Sequence, residues 1–135
     1  MMNLRFLILW TLVFNFIAVY SQFNFKGDFV NDEHQIKLSL NLYEDNIPVP
    51  GFELDSCYGY LQGSINGVWV ILQVKSIETD KSLVRAVSER GGDAQDLLIT
   101  NDGGKIIVRQ IKGACIKGVS ERKYKKLPKN IIFEK

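Results

Sequence analysis

The sequence predicts an all-β protein: a small antiparallel meander of about seven or eight strands, closed or nearly closed into a β-barrel in preference to a sandwich, behind an N-terminal signal peptide. Three observations predict it. Short apolar stretches with period-two alternation recur through residues 22–135, and Gly, Asn, Asp and Pro separate them. No stretch after residue 21 places apolar residues at helical spacing over successive turns. Closure then removes the sheet edges that an open meander would expose to other chains.

Residues 1–21 differ in kind from the rest. Arg5 precedes an apolar run from Phe6 to Tyr20 interrupted only by Thr11 and Asn15, the layout of a signal peptide. The run is short for a bilayer span, which needs roughly 20 apolar residues. Val19 and Ser21 supply the residues that cleavage after Ser21 requires, leaving Gln22 as the mature N-terminus and placing the protein in a secreted or periplasmic setting. Residues 22–135 then form a single domain with 112–135 as a basic C-terminal segment.

From Gln22 to Val30 the aromatic residues Phe23, Phe25 and Phe29 fall on one face of a first strand. Gly27-Asp28-Phe29 is similar to the Gly-x-Trp with which lipocalin-like barrels begin, Phe standing in place of Trp. The resemblance is one of strand pattern and transfers no ligand residue. Ile36, Leu38, Leu40 and Leu42 alternate strictly with Lys37, Ser39 and Asn41, which makes the second strand half-buried. Tyr43 to Asp55 is irregular, since Pro48 and Pro50 fix φ and lack donors; it reads as a crossover or a lid over the barrel end.

The central feature is the run from Cys57 to Ile77, read as a hairpin about Asn66-Gly67, the pair favoured in a type I′ turn. That turn sets Ile65 opposite Val68, Ser64 opposite Trp69, Leu61 opposite Leu72 and Gly59 opposite Val74. One face is then small or aliphatic: Cys57, Gly59, Leu61, Gly63, Ile65, Val68, Val70, Leu72 and Val74. The other carries Tyr58, Tyr60, Gln62, Ser64, Trp69, Ile71, Gln73 and Lys75, mixing aromatic with hydrogen-bonding groups. Ser82 to Ser88 is the next strand, and Asp96 to Gln110 a second hairpin about Asp102-Gly103, apolar on both faces. Ile131, Ile132 and Phe133 offer a last strand to close the sheet.

Cys57 and Cys115 are the two cysteines, and export favours joining them in a disulfide worth about 4 kcal/mol in the chain-entropy model. Two cysteines and one histidine make no zinc site, and no glycine-rich phosphate loop or cofactor motif is present. Without a second histidine there is no ordinary nucleophile–base–acid triad. Carboxylates remain as a hydrolytic option, with Glu89, Asp93 and Asp96 or Glu53 and Asp55 grouped at one end of the sheet.

Charge is polarised along the chain. Residues 112–135 hold eight basic and two acidic side chains, a net of +6, against eight basic and thirteen acidic, a net of −5, over 22–111. The cluster Arg122, Lys123, Lys125 and Lys126 suits an anionic membrane surface, a polyanionic glycan or an acidic partner, and export argues against nucleic acid. The resulting expectation is an exported, non-enzymatic binding protein without catalytic residues, metal or cofactor. Tyr58, Tyr60, Gln62, Trp69 and Gln73 are its candidate binding residues, either lining a lumen for a small ligand or facing outward to an extracytoplasmic protein. An envelope inhibitor or immunity-type factor that blocks an exported hydrolase is one alternative, and a carboxylate-based hydrolase is another.

Overall fold

A computed structural model of the protein describes residues 25–135, without the side chains of Glu53 and Leu54; the expected signal peptide and Phe23 lie outside the described residues. In chain order the strands are β1 (Lys26–Asn31), β2 (Ile36–Asn41), β3 (Ile47–Val49), β4 (Phe52–Cys57), β5 (Gly59–Gly63), β6 (Trp69–Ile77), β7 (Lys81–Ser88), β8 (Ala94–Asp102), β9 (Lys105–Gly113), β10 (Gly118–Ser120), β11 (Lys123–Lys125) and β12 (Asn130–Phe133). Eight of them form one antiparallel sheet in the order β1-β2-β5-β6-β7-β8-β9-β12. Val30 and Glu134 exchange backbone hydrogen bonds of 2.7 and 2.9 Å across the seam, so the sheet nearly closes into a barrel and its two edges are joined.

Alternation places the core as the sequence predicts over most of the wall. Ile36, Leu38, Leu40 and Leu42 all point inward, as do Phe25 and Phe29, and β7 contributes Val84 and Ala86. The second hairpin turns at Gly103-Gly104, pairing Asp102 with Lys105 and Ile99 with Val108. Ile131 and Phe133 of β12 enter the core, and β12 closes the sheet against β9. The irregular Tyr43–Asp55 stretch forms a small hairpin of its own, β3 with β4, bulged between Pro48 and Val49.

The central hairpin departs from its expected register. Leu61 faces Trp69 instead of Leu72, and Gly59 faces Ile71 instead of Val74. A shift of three inverts one strand's faces relative to the other, so Trp69 and Ile71 join Leu61 in the core while Val70 and Leu72 fall on the outer face, where Leu72 is exposed and Val70 is covered. The reason is that Asn66 does not serve a two-residue turn. Its N–H donates to the Lys117 carbonyl (2.9 Å), and its Oδ1 accepts from the Lys117 N–H (2.9 Å) and the Trp69 indole Nε1–H (3.2 Å). Ser64, Ile65 and Asn66 are thereby paired with the chain at 117–119, which widens the loop. Further along, β6 slips against β7 between Ile71 and Gln73 and again between Val74 and Ser76, and these bulges break the period of two.

Two other expectations are corrected. The barrel interior is filled, with Trp69, Phe25, Phe133 and the aliphatic residues of β2, β5, β8 and β9 almost wholly buried, so no ligand lumen is lined by the tyrosines and Trp69. The Cys57–Cys115 disulfide is not formed, and both thiols are free. Cys57 ends β4, its Sγ bonded to the Ile47 carbonyl at 3.4 Å, whereas the Cys115 carbonyl accepts from Asn66 beyond the other end of β5. β5 is five residues long at roughly 3.3 Å each, far more than the ~7 Å between Cα atoms that a disulfide tolerates.

Between β9 and β12 the chain crosses the barrel end nearest Asn66 and carries the β10–β11 hairpin there. Ile116 and Leu127 are buried against the core and seal this end. Gln110 holds the segment by accepting from the Ile116 N–H (2.7 Å) and donating to the Ile116 carbonyl (3.1 Å). Buried Gln95 adds bonds to Gln110 (3.2 Å) and to the Ala114 carbonyl (3.0 Å).

Candidate functional site

The five residues expected to form one binding face are divided by the fold. Trp69 is a core residue. Tyr58 is half-buried and packs on the core, Tyr60 and Gln62 are half-buried on the outside of β5, and Gln73 is exposed beyond the first β6 bulge. Gln62 lines a shallow cleft of about 530 Å³ with Asn31, Asp32, Gln35 and Lys37, apart from the others. Tyr60 lies in a cross-strand row with Val70 and Val87, so it borders what the shifted register has exposed.

That exposed region is a groove of about 660 Å³ between the β3–β4 hairpin and the outside of β6 and β7. Val49 and Phe52 come from the small hairpin, Val70, Leu72 and Val87 from the barrel wall, and Asp55 and Glu89 are its acidic members. Phe52 is 57% exposed and Leu72 54%, so two large apolar side chains meet water in one groove. Val68, Val70 and Leu72 alternate as regularly as Trp69 and Ile71, so composition does not say which set turns outward, and the Asn66-Gly67 turn gives the wrong pairing of β5 with β6.

The basic patch gathers around a second groove, of about 750 Å³, on the crossover at the sealed end. Ile116, Leu127, Pro128 and Tyr124 supply its apolar surface, and Lys117, Lys125, Lys126 and Lys129 surround it. Arg122 and Lys123 are exposed at the β10–β11 turn, where Glu121 and Arg122 take positive φ of 52° and 67°. Gln110 and Gln95 were missed by sequence reasoning. The available signal was a glutamine at the inward parity of an apolar strand, after Ile106 and Val108, which asks for a polar partner inside the barrel.

The carboxylates do not assemble into a paired acid–base site around Asp96. That side chain, in a row on the outside of the sheet, bonds Lys75 Nζ at 2.9 Å and Arg85 Nε at 3.0 Å. Glu89 and Asp93 are exposed on the connection after β7, Asp55 belongs to the apolar groove, and the Glu53 side chain lies outside the described residues. His34 sits in the β1–β2 turn, its backbone N–H donating to Asn31 Oδ1 at 2.7 Å. Among the described residues no group of three or more His, Cys, Asp or Glu is placed to hold a metal ion. Burial pushes the Cys57 thiol up, which leaves exposed Cys115 as the more reactive of the two.

The hydrogen bond from Arg85, followed by that from Lys75, holds the Asp96 carboxyl below the usual carboxylate range. A depressed folded value means that this group's stabilisation is complete above its unfolded value near 4 and fades as pH falls through the folded one. Asp96→Asn is therefore expected to open a stability gap from wild type that is constant above about pH 5 and narrows below about pH 4. Urea denaturation across that range measures it, and a gap that does not change with pH refutes the linkage.

The chain matches no protein-family model, and no curated protein and no solved structure proves similar to it.

Proposed function

We propose that this is an exported, non-enzymatic binding protein that docks a protein partner on the outward face of its central hairpin. The observation that carries the reading is the exposure of Phe52 and Leu72 in one groove. Large apolar side chains gathered in a surface groove mark interaction sites in soluble proteins, and aromatic and aliphatic anchors in such grooves carry most of the binding energy. Asp55 and Glu89 add a preference for a partner segment whose apolar anchor is flanked by Lys or Arg. A filled barrel supports the same reading, because it leaves recognition to the outside of the wall.

The test is capture from the compartment into which the protein is exported, using wild type, Leu72→Asp and a Phe52→Ser/Leu72→Ser double variant. Both side chains are more than half exposed, so the variants are expected to fold, which circular dichroism checks. A partner retained by wild type should bind the double variant at least roughly tenfold more weakly, the loss of one or two anchors. Identical capture by all three proteins removes the support for this groove.

A further inference from the structure

The basic groove at the sealed end of the barrel has a different chemistry from the acidic one on the wall, and it stands independently of the partner reading. We propose that it binds a single-chain anionic amphiphile: one hydrocarbon chain ending in a carboxylate or phosphate. Its volume of about 750 Å³ falls in the range of roughly 300–1,000 Å³ typical of small-ligand sites. Its surface combines two requirements in one place. Pro128 and the exposed ring of Tyr124 offer an apolar bed over the nearly covered Ile116 and Leu127, and Lys117, Lys125, Lys126 and Lys129 offer ammonium groups around it.

Those four lysines are exposed, and among the described residues none has a carboxylate within ion-pair distance; the ion pairs found there involve Lys75, Arg85 and Lys105. Lys117 instead lies 5.8 Å from the centroid of the Tyr124 ring, so a cation and an aromatic face meet at the groove. An acidic headgroup satisfies this cluster, and it does so without the desolvation cost of a buried pair because the lysines are solvated.

The backbone of the floor distinguishes a hydrocarbon from a peptide. Both backbone groups of Ile116 are bonded to Gln110, and both backbone groups of Lys117 to Asn66. An acidic peptide laid along this floor would find those donors and acceptors already used, and its own amides would lose water without replacement. An alkyl chain needs no such partners. A flat bilayer would instead meet the exposed lysines and Tyr124 of the β10–β11 hairpin, and vesicles binding where monomers do not would reveal it. One chain in the groove is the occupant that uses the floor and the lysines together.

Exposed Cys115 also lines the groove, and it gives a local readout. The experiment measures binding by titration calorimetry of the full exported protein with dodecanoate and dodecyl phosphate, each below its aggregation concentration. Comparison probes are dodecyltrimethylammonium, inorganic phosphate and vesicles of phosphatidylcholine with phosphatidylglycerol. Alkylation of Cys115 by iodoacetamide is timed with and without each probe. The expected result is one-to-one binding of both anionic amphiphiles with slowed alkylation, and binding of the cationic amphiphile and of inorganic phosphate at least tenfold weaker. Lys125→Ser/Lys126→Ser/Lys129→Ser should weaken the anionic probes at least tenfold, Tyr124→Ser should weaken all three amphiphiles, and Phe52→Ser/Leu72→Ser should leave binding unchanged. The proposal is overturned by equal affinity for the cationic amphiphile, by inorganic phosphate binding as tightly, by an unaffected triple variant, by unchanged Cys115 alkylation, or by vesicle binding without monomer binding.

Discussion

Trp69→Ala is expected to destabilise the protein by about 3–5 kcal/mol and to lower its thermal midpoint by more than about 10 °C. Trp69 is 1% exposed and is the largest fully buried side chain among the described residues, so truncation leaves a cavity beside Leu61 of β5. The indole N–H is also bonded to Asn66, a tie between the barrel wall and the crossover that alanine cannot replace. Trp69→Phe keeps most of the volume and should lose only about 1–1.5 kcal/mol, mainly the indole hydrogen bond. Gln73→Ala, four residues along the same strand but exposed, should stay within about 0.5 kcal/mol of wild type. Urea unfolding followed by circular dichroism compares the three without relying on tryptophan fluorescence. A Trp69→Ala protein as stable as wild type would mean that the indole does not fill the barrel core.

Asn66→Ala is expected to cost about 2 kcal/mol, from the acceptor lost to the Lys117 N–H and to the buried Trp69 indole. The loss should be local as well as global. Lys117 and the adjoining crossover residues should exchange their amide hydrogens faster in the variant, while the β7–β8 ladder keeps its protection apart from the global change. Asn66→Asp retains an acceptor oxygen and should recover part of the stability. Amide exchange measured by mass spectrometry decides between this and a simple turn role, in which protection at Lys117 would be unchanged and the damage confined to β5 and β6.

Much of the barrel was legible because local rules agreed with the global fold. The strict alternation from Ile36 to Leu42 names its own inward face whatever the strand pairs with. Asp102 and Lys105 flank a two-glycine turn, so the second hairpin closes on itself. The apolar triplet at 131–133 supplies the closing strand. The candidate site was less legible. Val70 and Leu72 alternate with Trp69 and Ile71 in an unbroken apolar run, and period alone cannot choose between two apolar faces. The bulges in β6 then allow Ile71 to be buried and both Leu72 and Gln73 to be exposed, which no constant alternation reproduces.

By itself, then, the sequence determined the all-β class, the strands of the main sheet, most of the core and the basic character of residues 112–135, all of which follow from interactions between near neighbours and from composition. Only the tertiary structure decided which way the central hairpin faces, whether Cys57 and Cys115 meet, and where the basic segment lies. Each of those depends on contacts across the barrel. The Asn66-Gly67 turn preference is a local energy of modest size, and it yields to hydrogen bonds from Lys117, 51 residues later, together with the burial of Trp69 that they permit.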